Sequence, residues 1–369
     1  MTKTTGLFTD ERCFWHSGGN YAFMSPVGGM MQPTATGGLP ENPETKRRLK
    51  NLAEVTGLLG ELNVQSAAPV TMEDLVRVHP ADFLATFKST AEAGGGETGM
   101  RAPYGPDGYD IACLSAGLAK AALFDVLDGK LTNAYALSRP PGHHCLPDWQ
   151  NGFCLLANIA IAIEAALASD RAKRIAVLDW DVHHGNGTEA IFYDRADVLT
   201  ISMHQDRNYP MDTGAVADRG NGAGEGHNLN IPIPPGAGHN SWKQALNQLA
   251  LPAIKAFQPD AIIVACGFDA AAFDPLGRML CTAETFADMT SATMDLANDI
   301  CGGKLVMVHE GGYSETYVPF CGHNVLQSLA GSKIHAPDPY ATTLEKRQPN
   351  PAFKAWIATQ LDDMAKALS

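Results

Sequence analysis

Ile175-Ala176-Val177-Leu178-Asp179-Trp180-Asp181-Val182-His183-His184-Gly185-Asn186-Gly187 is the stretch from which fold and chemistry are both read. Its first four residues are an apolar run of the kind that makes a buried strand. Asp179 to His184 then present two carboxylates and two imidazoles, and the glycines that follow permit a sharp turn. Along a regular strand Asp179 and Asp181 would share a face. Where the strand is ending, Asp181 and His183 can converge on one ion while Asp179 points elsewhere. Aspartate and histidine are ordinary Zn²⁺ ligands, and a catalytic zinc takes three protein ligands and keeps one position open. The third ligand is owed by another part of the chain.

Working outward, the same device recurs. An apolar run at 134–137 leads into Arg139-Pro140-Pro141-Gly142-His143-His144, and one at 198–203 leads into His204. The run at 261–265 precedes Cys266-Gly267-Phe268-Asp269, and that at 305–308 precedes His309-Glu310-Gly311-Gly312-Tyr313. Helical patterns lie between and before them, at 44–60 (with a basic face), 81–93, 110–128, 155–168, 240–257, 284–301 and 351–368. Residues 94–109, rich in Gly and Pro and carrying Glu97 and Arg101, read as a long surface loop. Strands alternating with helices predict an α/β fold with a large, mostly parallel sheet flanked by α-helices. In such sheets ligands gather beyond the carboxyl ends of the strands, so the polar clusters belong on one rim. No internal repeat or low-complexity linker divides the chain, which predicts one domain over 1–369.

On that rim Asp269 is the natural third metal ligand. Two carboxylates and one neutral imidazole would balance a divalent ion, which polarises a carbonyl and acidifies a bound water. His143 and His144 follow a Pro-Gly turn and can act as general base and general acid. Each needs a partner on its second nitrogen: Asp179 is the candidate for His143 and Asn186 for His144. An amide partner orients without adding charge, so it raises the imidazole pKa less than a carboxylate does. Tyr313 follows Gly311-Gly312, where the backbone can bring a phenol close to a developing oxyanion. Gly152-Phe153 and Tyr209 are candidates for the walls of a slot, with core packing as the competing use of these aromatics.

The whole chain sets bounds. With 369 residues, 45% of them hydrophobic, it can bury a large core. Forty acidic against 27 basic residues give a formal net charge of −13, which excludes a phosphate-binding surface as the main interface and suits solubility first, steering of a cationic substrate second. The eight cysteines show no CxxC pairing, as expected of buried thiols in a reducing compartment. No apolar stretch reaches the length of a membrane span and the N-terminal segment lacks the apolar core of a leader, so a cytoplasmic protein is expected, without membrane or nucleic-acid partners.

RPPGHH at 139–144, DWDVHHGNG at 179–187, GFDA at 267–270, DPLGRM at 274–279 and EGGY at 310–313 together resemble the zinc-dependent histone deacetylase family. The motifs run in the family's order from about residue 8 to 330, and GFDA, DPLG, EGGY and Asn186 are similar to its class II branch, which includes bacterial histone deacetylase-like amidohydrolases. The resemblance implies the arginase/deacetylase fold. It implies one catalytic Zn²⁺ on Asp181, His183 and Asp269, His143 and His144 as the acid/base pair, and Tyr313 as oxyanion donor. It further implies a structural K⁺ held by Asp179, Asp181, His183, Ser202 and Met203, partly through carbonyls. Phe153 and Tyr209 would flank an acyl-lysine tunnel with Leu276 at its side, and Pro141, Gly152 and Gly311 would complete the substrate site. The substrate implied is an acylated lysine in a peptide or protein, with a small acylated amine such as an acetylpolyamine as the alternative. Leu276 stands where polyamine-selective members carry an acid, which weakens that alternative. Members usually carry, on the loop before the helix at 110, an acid that grips the substrate backbone; here that region reads GGGETGMRAP, so the role either falls to Glu97 or is absent. The helical segment at about 340–369 lies outside the motifs and suits packing or homo-oligomer formation.

Overall fold

In the computed structural model, which describes residues 4–19, 21–26, 30–31 and 38–368, four apolar runs lie side by side at the centre of one sheet. Its strands are β1 (Thr5–Phe8), β2 (Asn63–Gln65), β3 (Asn133–Ala136), β4 (Ile175–Asp179), β5 (Val198–Gln205), β6 (Asn228–Ile233), β7 (Ala261–Cys266) and β8 (Leu305–His309). They are ordered β2-β1-β3-β8-β7-β4-β5-β6, and every neighbouring pair is parallel. β3, β4, β5, β7 and β8 are buried along their whole length, which is why they read as continuous apolar runs rather than alternating ones.

Five strands were expected and the sheet has eight. β1 and β2 are too short to show a period, and β6 (NLNIPI) carries two asparagines and a proline. The long helices are α1 (Glu44–Thr56), α2 (Ala81–Glu92), α3 (Gly108–Leu127), α4 (Asn158–Ala168), α5 (Asn186–Phe192), α6 (His239–Ala245, continued by Leu251–Phe257), α7 (Ala283–Ile300), α8 (Val318–Ala330) and α9 (Pro351–Leu368). A π turn at Leu246–Ala250 interrupts the helix expected over 240–257, next to Pro252, which brings no N–H to the ladder. α1 stops at Thr56 because Gly57 adopts a left-handed conformation. Arg47, Arg48 and Lys50 form its basic face, exposed or half-buried, whereas Lys46 is fully buried and paired with Glu41 at 3.1 Å. α9 packs on α6 through buried Ile357 and Leu361, and Arg219 donates to the carbonyls of Ala367 and Leu368. Among the described residues no helix is long and apolar enough to cross a membrane.

Register aligns the carboxyl ends. Asp179 lies opposite Ser202 on β5 and Ala265 on β7, and His309 lies opposite Cys266. The chain crosses from β3 past two vacant sheet positions to β4 and fills them later with β7 and β8. Ligand sites form where strand order switches in this way. β3, β8, β7 and β4 therefore release four polar segments onto one small area.

Candidate active site

The segment after β4 turns inward twice. The Asp181 N–H donates to Asp179 Oδ1 at 3.0 Å, and the His183 N–H donates to Asp181 Oδ1 at 2.9 Å. These bonds bring His183 Nδ1 to 2.9 Å from Asp181 Oδ1 and 3.0 Å from Asp269 Oδ2. Ligand atoms of Asp181, His183 and Asp269 all lie within 4.8 Å of one another, with all three residues buried. Backbone amides hold the outer oxygens: Gly311 donates to Asp181 Oδ2 at 2.8 Å and Val182 to Asp269 Oδ1 at 2.7 Å. Asp269 Oδ2 is buried and receives no hydrogen bond, because its one nitrogen neighbour, His183 Nδ1, is engaged with Asp181 Oδ1. Burial, and then the charge of Asp181, pushes the Asp269 carboxyl well up. Burial lowers His183, but the carboxylates of Asp269 and Asp181 outweigh it and raise the imidazole. Both shifts express a demand for positive charge at one point, and an oxygen left without a donor there fits a divalent cation.

In a second trio within ligand range, His143, Cys154 and Glu310, one oxygen, Glu310 Oε1, likewise receives no hydrogen bond, but His143 is turned to Asp179 and the other Glu310 oxygen is engaged. Glu310 Oε2 accepts from the amides of Gly142 and His143 at 2.7 and 3.1 Å, and burial holds the Cys154 thiol protonated. Its work is to fix the backbone that carries the histidine pair.

His143 Nδ1 stands 2.9 Å from Asp179 Oδ2, and His144 Nδ1 stands 2.7 Å from Asn186 Oδ1. The two rings are 4.0 Å apart yet electrostatically opposite. Burial would lower His143, but Asp179 and Asp181 raise it to about 10. Burial lowers His144 too, and there the charges of His143 and His183 add to the effect, so it stays neutral. Because Asn186 Oδ1 only accepts, His144 carries its proton on Nδ1 and keeps the Nε2 lone pair free.

A cavity of about 220 Å³ opens above these groups, lined by His144, His183, Gly152, Phe153, Tyr209, Leu276 and Tyr313 among others. Gly152 has φ +51, and a Cβ there would sit 2.4 Å from the His144 ring. Gly311 does not line the cavity; a Cβ on it would collide with Asp269 Oδ2 and Asp181 Oδ2 at 2.3 and 2.5 Å and touch the Tyr313 hydroxyl at 3.0 Å. That hydroxyl therefore lies beside the carboxylate trio. The Phe153 ring meets Tyr313 edge-on at 5.7 Å, and the Tyr209 ring meets His144 at 5.1 Å while its hydroxyl donates to Asn151.

Other expected residues fall outside the cavity. Pro141 is buried and does not line the cavity. Glu97 accepts from the Ala102 amide at 2.9 Å and from the Tyr21 hydroxyl, so its carboxylate braces its own loop and ties it to the segment at Tyr21. Ser202 and Met203 lie at the end of β5; Ser202 Oγ accepts from the Gly185 amide at 3.4 Å and stands 3.0 Å from His204 Nδ1.

The sequence reading missed Asp274, whose carboxylate accepts from the amides of Tyr313 (2.7 Å), Leu276 (2.8 Å) and Gly277 (3.2 Å) and so joins two sides of the cavity. It also missed the buried group of Glu41, Lys46 and Arg139. The Arg139 guanidinium donates to Glu41 and to the carbonyls of Cys13 and His16. No local pattern marks the link from Arg139 to Glu41, 98 residues away. Arg101, Phe23, Met24, Asn208, Pro275 and Arg278 complete the cavity lining. All eight cysteines are free and buried.

Comparison with known proteins agrees with this geometry. Residues 39–329 match the histone deacetylase domain. The chain is 53% identical over 365 residues to a histone deacetylase-like amidohydrolase of Pseudomonas aeruginosa, covering 99% of this chain and 96% of the relative. It is 34% identical to histone deacetylase 8 of Arabidopsis thaliana, covering 82% of each chain. It is 35% identical to a probable deacetylase of Archaeoglobus fulgidus, covering 85% of this chain and 89% of that one. The crystal structure of the HDA15 HD domain superposes with a TM-score of 0.81 at 30% identity, covering 100% of this chain and 99% of that one.

Proposed function

The chain belongs to the histone deacetylase family, and from that premise we propose that it is a zinc-dependent amidohydrolase that removes acetyl or related acyl groups from lysine side chains. The observation that carries this reading is the buried Asp181–His183–Asp269 trio, with its donor-less Asp269 oxygen, at the floor of an aromatic-walled cavity. A zinc ion held there would polarise the acyl carbonyl and acidify a water.

The chain's own residues supply the rest. His144 Nε2, neutral and free, accepts the proton of the attacking water and passes it to the amine nitrogen as the C–N bond breaks. His143 stays protonated against Asp179 and offsets the negative charge that builds up at the floor. The Tyr313 hydroxyl donates to the oxygen of the tetrahedral carbon. Phe153, Tyr209 and Leu276 wrap the apolar lysine stem, and Gly152 leaves room for it beside His144. Asp179, Asp181, His183, Ser202 and Met203 are proposed to hold a structural potassium ion that stiffens the loop after β4. The whole chain is proposed to act as one deacetylase domain in the cytoplasm, where eight unpaired cysteines remain reduced.

The decisive test is turnover of acetyl-lysine peptides and of acetylated polyamines by zinc-loaded wild type and His144→Ala. Peptide turnover that collapses in the variant supports the reading. Cleavage of the polyamine alone would overturn the lysine assignment, and undiminished turnover by His144→Ala would overturn the acid/base assignment.

A further inference from the structure

We propose that Arg101 is a specificity residue which selects acyl-lysine substrates carrying a carboxylate next to the acylated lysine. The inference rests on the lysine deacylase reading above and narrows its substrate class.

Four observations converge on it. Among the described residues, imidazoles apart, the charged side chains that line the cavity are two guanidinium groups, Arg101 and Arg278, and no carboxylate lines it. On a chain with net charge −13 that is the reverse of the overall balance. Second, Arg101 has no acidic partner among the described residues, whereas Arg278 is folded back onto the carbonyls of Pro275 and Gly277. Glu97, four residues away, is spent on Tyr21 and Ala102. The stretch 20–37, which supplies Phe23 and Met24 to the lining, contains no acidic residue.

Third, the position is built. Arg101 is held at φ +56, which an L side chain seldom adopts. Backbone bonds from one loop to the other keep it there: Met100 N–H to Gln150 O at 2.9 Å, Gly152 N–H to Met100 O at 3.1 Å and Phe153 N–H to Arg101 O at 2.8 Å. Fourth, the guanidinium lies over the Tyr209 ring, 5.3 Å from its centre. Tyr209 in turn packs against His144. An exposed, pre-oriented, unpaired guanidinium on the tunnel wall is suited to a planar carboxylate. It repels a polycation, so the acetylpolyamine alternative meets a second obstacle beside Leu276.

The carboxylate can come from an adjacent glutamate or aspartate side chain, or from the free α-carboxylate of a single acyl-lysine. The test measures kcat/KM of the zinc-loaded full chain on acetyl-lysine peptides with Glu, Gln or Lys beside the acetyl-lysine. Nε-acetyl-lysine is run in parallel against its α-amide. Wild type is expected to prefer the acidic over the neutral peptide by about fivefold, in KM rather than kcat, and the preference should shrink at about 0.5 M salt. Arg101→Asn, chosen because asparagine tolerates the left-handed conformation, should bring the acidic-to-neutral ratio close to one. A preference confined to the free amino acid would assign the α-carboxylate as the anion. Equal rates on acidic and neutral substrates in wild type overturn the proposal while leaving the deacylase reading intact. So does an Arg101→Asn protein that slows on every substrate alike, because Arg101 then only props Tyr209. No cleavage of any acyl-lysine sinks both. Should the variant not fold, the salt dependence of the wild-type ratio still decides.

Discussion

At the floor of the cavity Asp179, Asp181 and Asp269 are buried, and every carboxylate oxygen is hydrogen-bonded except Asp269 Oδ2, whose nearest nitrogen, His183 Nδ1 at 3.0 Å, is shared with Asp181. At the rim Arg101 and Phe23 are exposed and Tyr209 and Leu276 half-buried, and two non-glycine residues that pair with each other, Arg101 and the buried Phe153, sit at φ +56 and +69, with Phe23 at +58. The floor stores its cost as electrostatics: like charges out of water, relieved when a cation arrives. The rim stores its cost as backbone strain, of order 1–3 kcal/mol per residue, balanced by hydrogen bonds between two loops. A floor of that kind suits chemistry shared by many acyl substrates, and a rim of that kind suits choosing among them.

The sharpest way to break this contrast is at the floor. Asp269→Ala removes the oxygen that lacks a donor, and hydrolysis should fall by more than about a thousandfold, with zinc content by atomic absorption falling close to zero. A variant that still binds zinc stoichiometrically would show that the trio is not the cation trap. Next comes Tyr313→Phe. Its hydroxyl has no side-chain partner among the described residues, so the variant should fold and keep its zinc while kcat drops about a hundred- to a thousandfold. An unchanged kcat would leave the phenol as part of the wall.

The same contrast explains what could be read in the chain. Asp181, His183, Asp269, His143 and Tyr313 each follow an apolar run within a few positions, so strand ends and ligand chemistry are visible together. Even the pairing of His143 with Asp179 and of His144 with Asn186 follows from which chemistry each imidazole needs. The rim is different. That Arg101 faces the cavity depends on a loop docking across fifty residues of sequence, and nothing local marks it. Asp274 lies within DPLGRM, but its role is not legible there, because its three amide donors come from two separate segments. Lys46 departs from the basic face of its helix: it is buried against Glu41, whose carboxylate is shared with the distant Arg139, and that sharing is not visible locally. Strands β1, β2 and β6 were missed for want of length or of apolar content.

Asp274 tests whether floor and rim are coupled. Asp274→Ala would free the amides of Tyr313, Leu276 and Gly277, misplacing a floor donor and a wall residue at once. A fall in kcat of about ten- to a hundredfold is expected, with faster amide exchange at 276–277 and 313 and no loss of zinc. A change in KM alone would mean that the carboxylate serves only the wall.

The smallest expected effect lies at the base of the loop that carries Phe153. His79 is buried; its Nε2 accepts from the Ala157 amide at 3.1 Å, so its Nδ1 proton donates to Pro147 O at 2.7 Å. Burial lowers its pKa to about 4 from 6.5. The folded state therefore prefers the neutral ring. Its full contribution is present above pH 6.5 and is lost as pH falls toward 4, because the unfolded chain takes up the proton first. At about pH 5.5 the loss amounts to roughly 1.4 kcal/mol, and protonation also removes the acceptor for Ala157. Exchange at 147–157 should accelerate in mild acid ahead of exchange at 175–179, and His79→Gln should flatten the stability profile over that window. If the floor strand loosens first, the division between a rigid floor and a conditionally held rim is wrong, since a loop clamped by one neutral imidazole must release before a strand hydrogen-bonded on both sides.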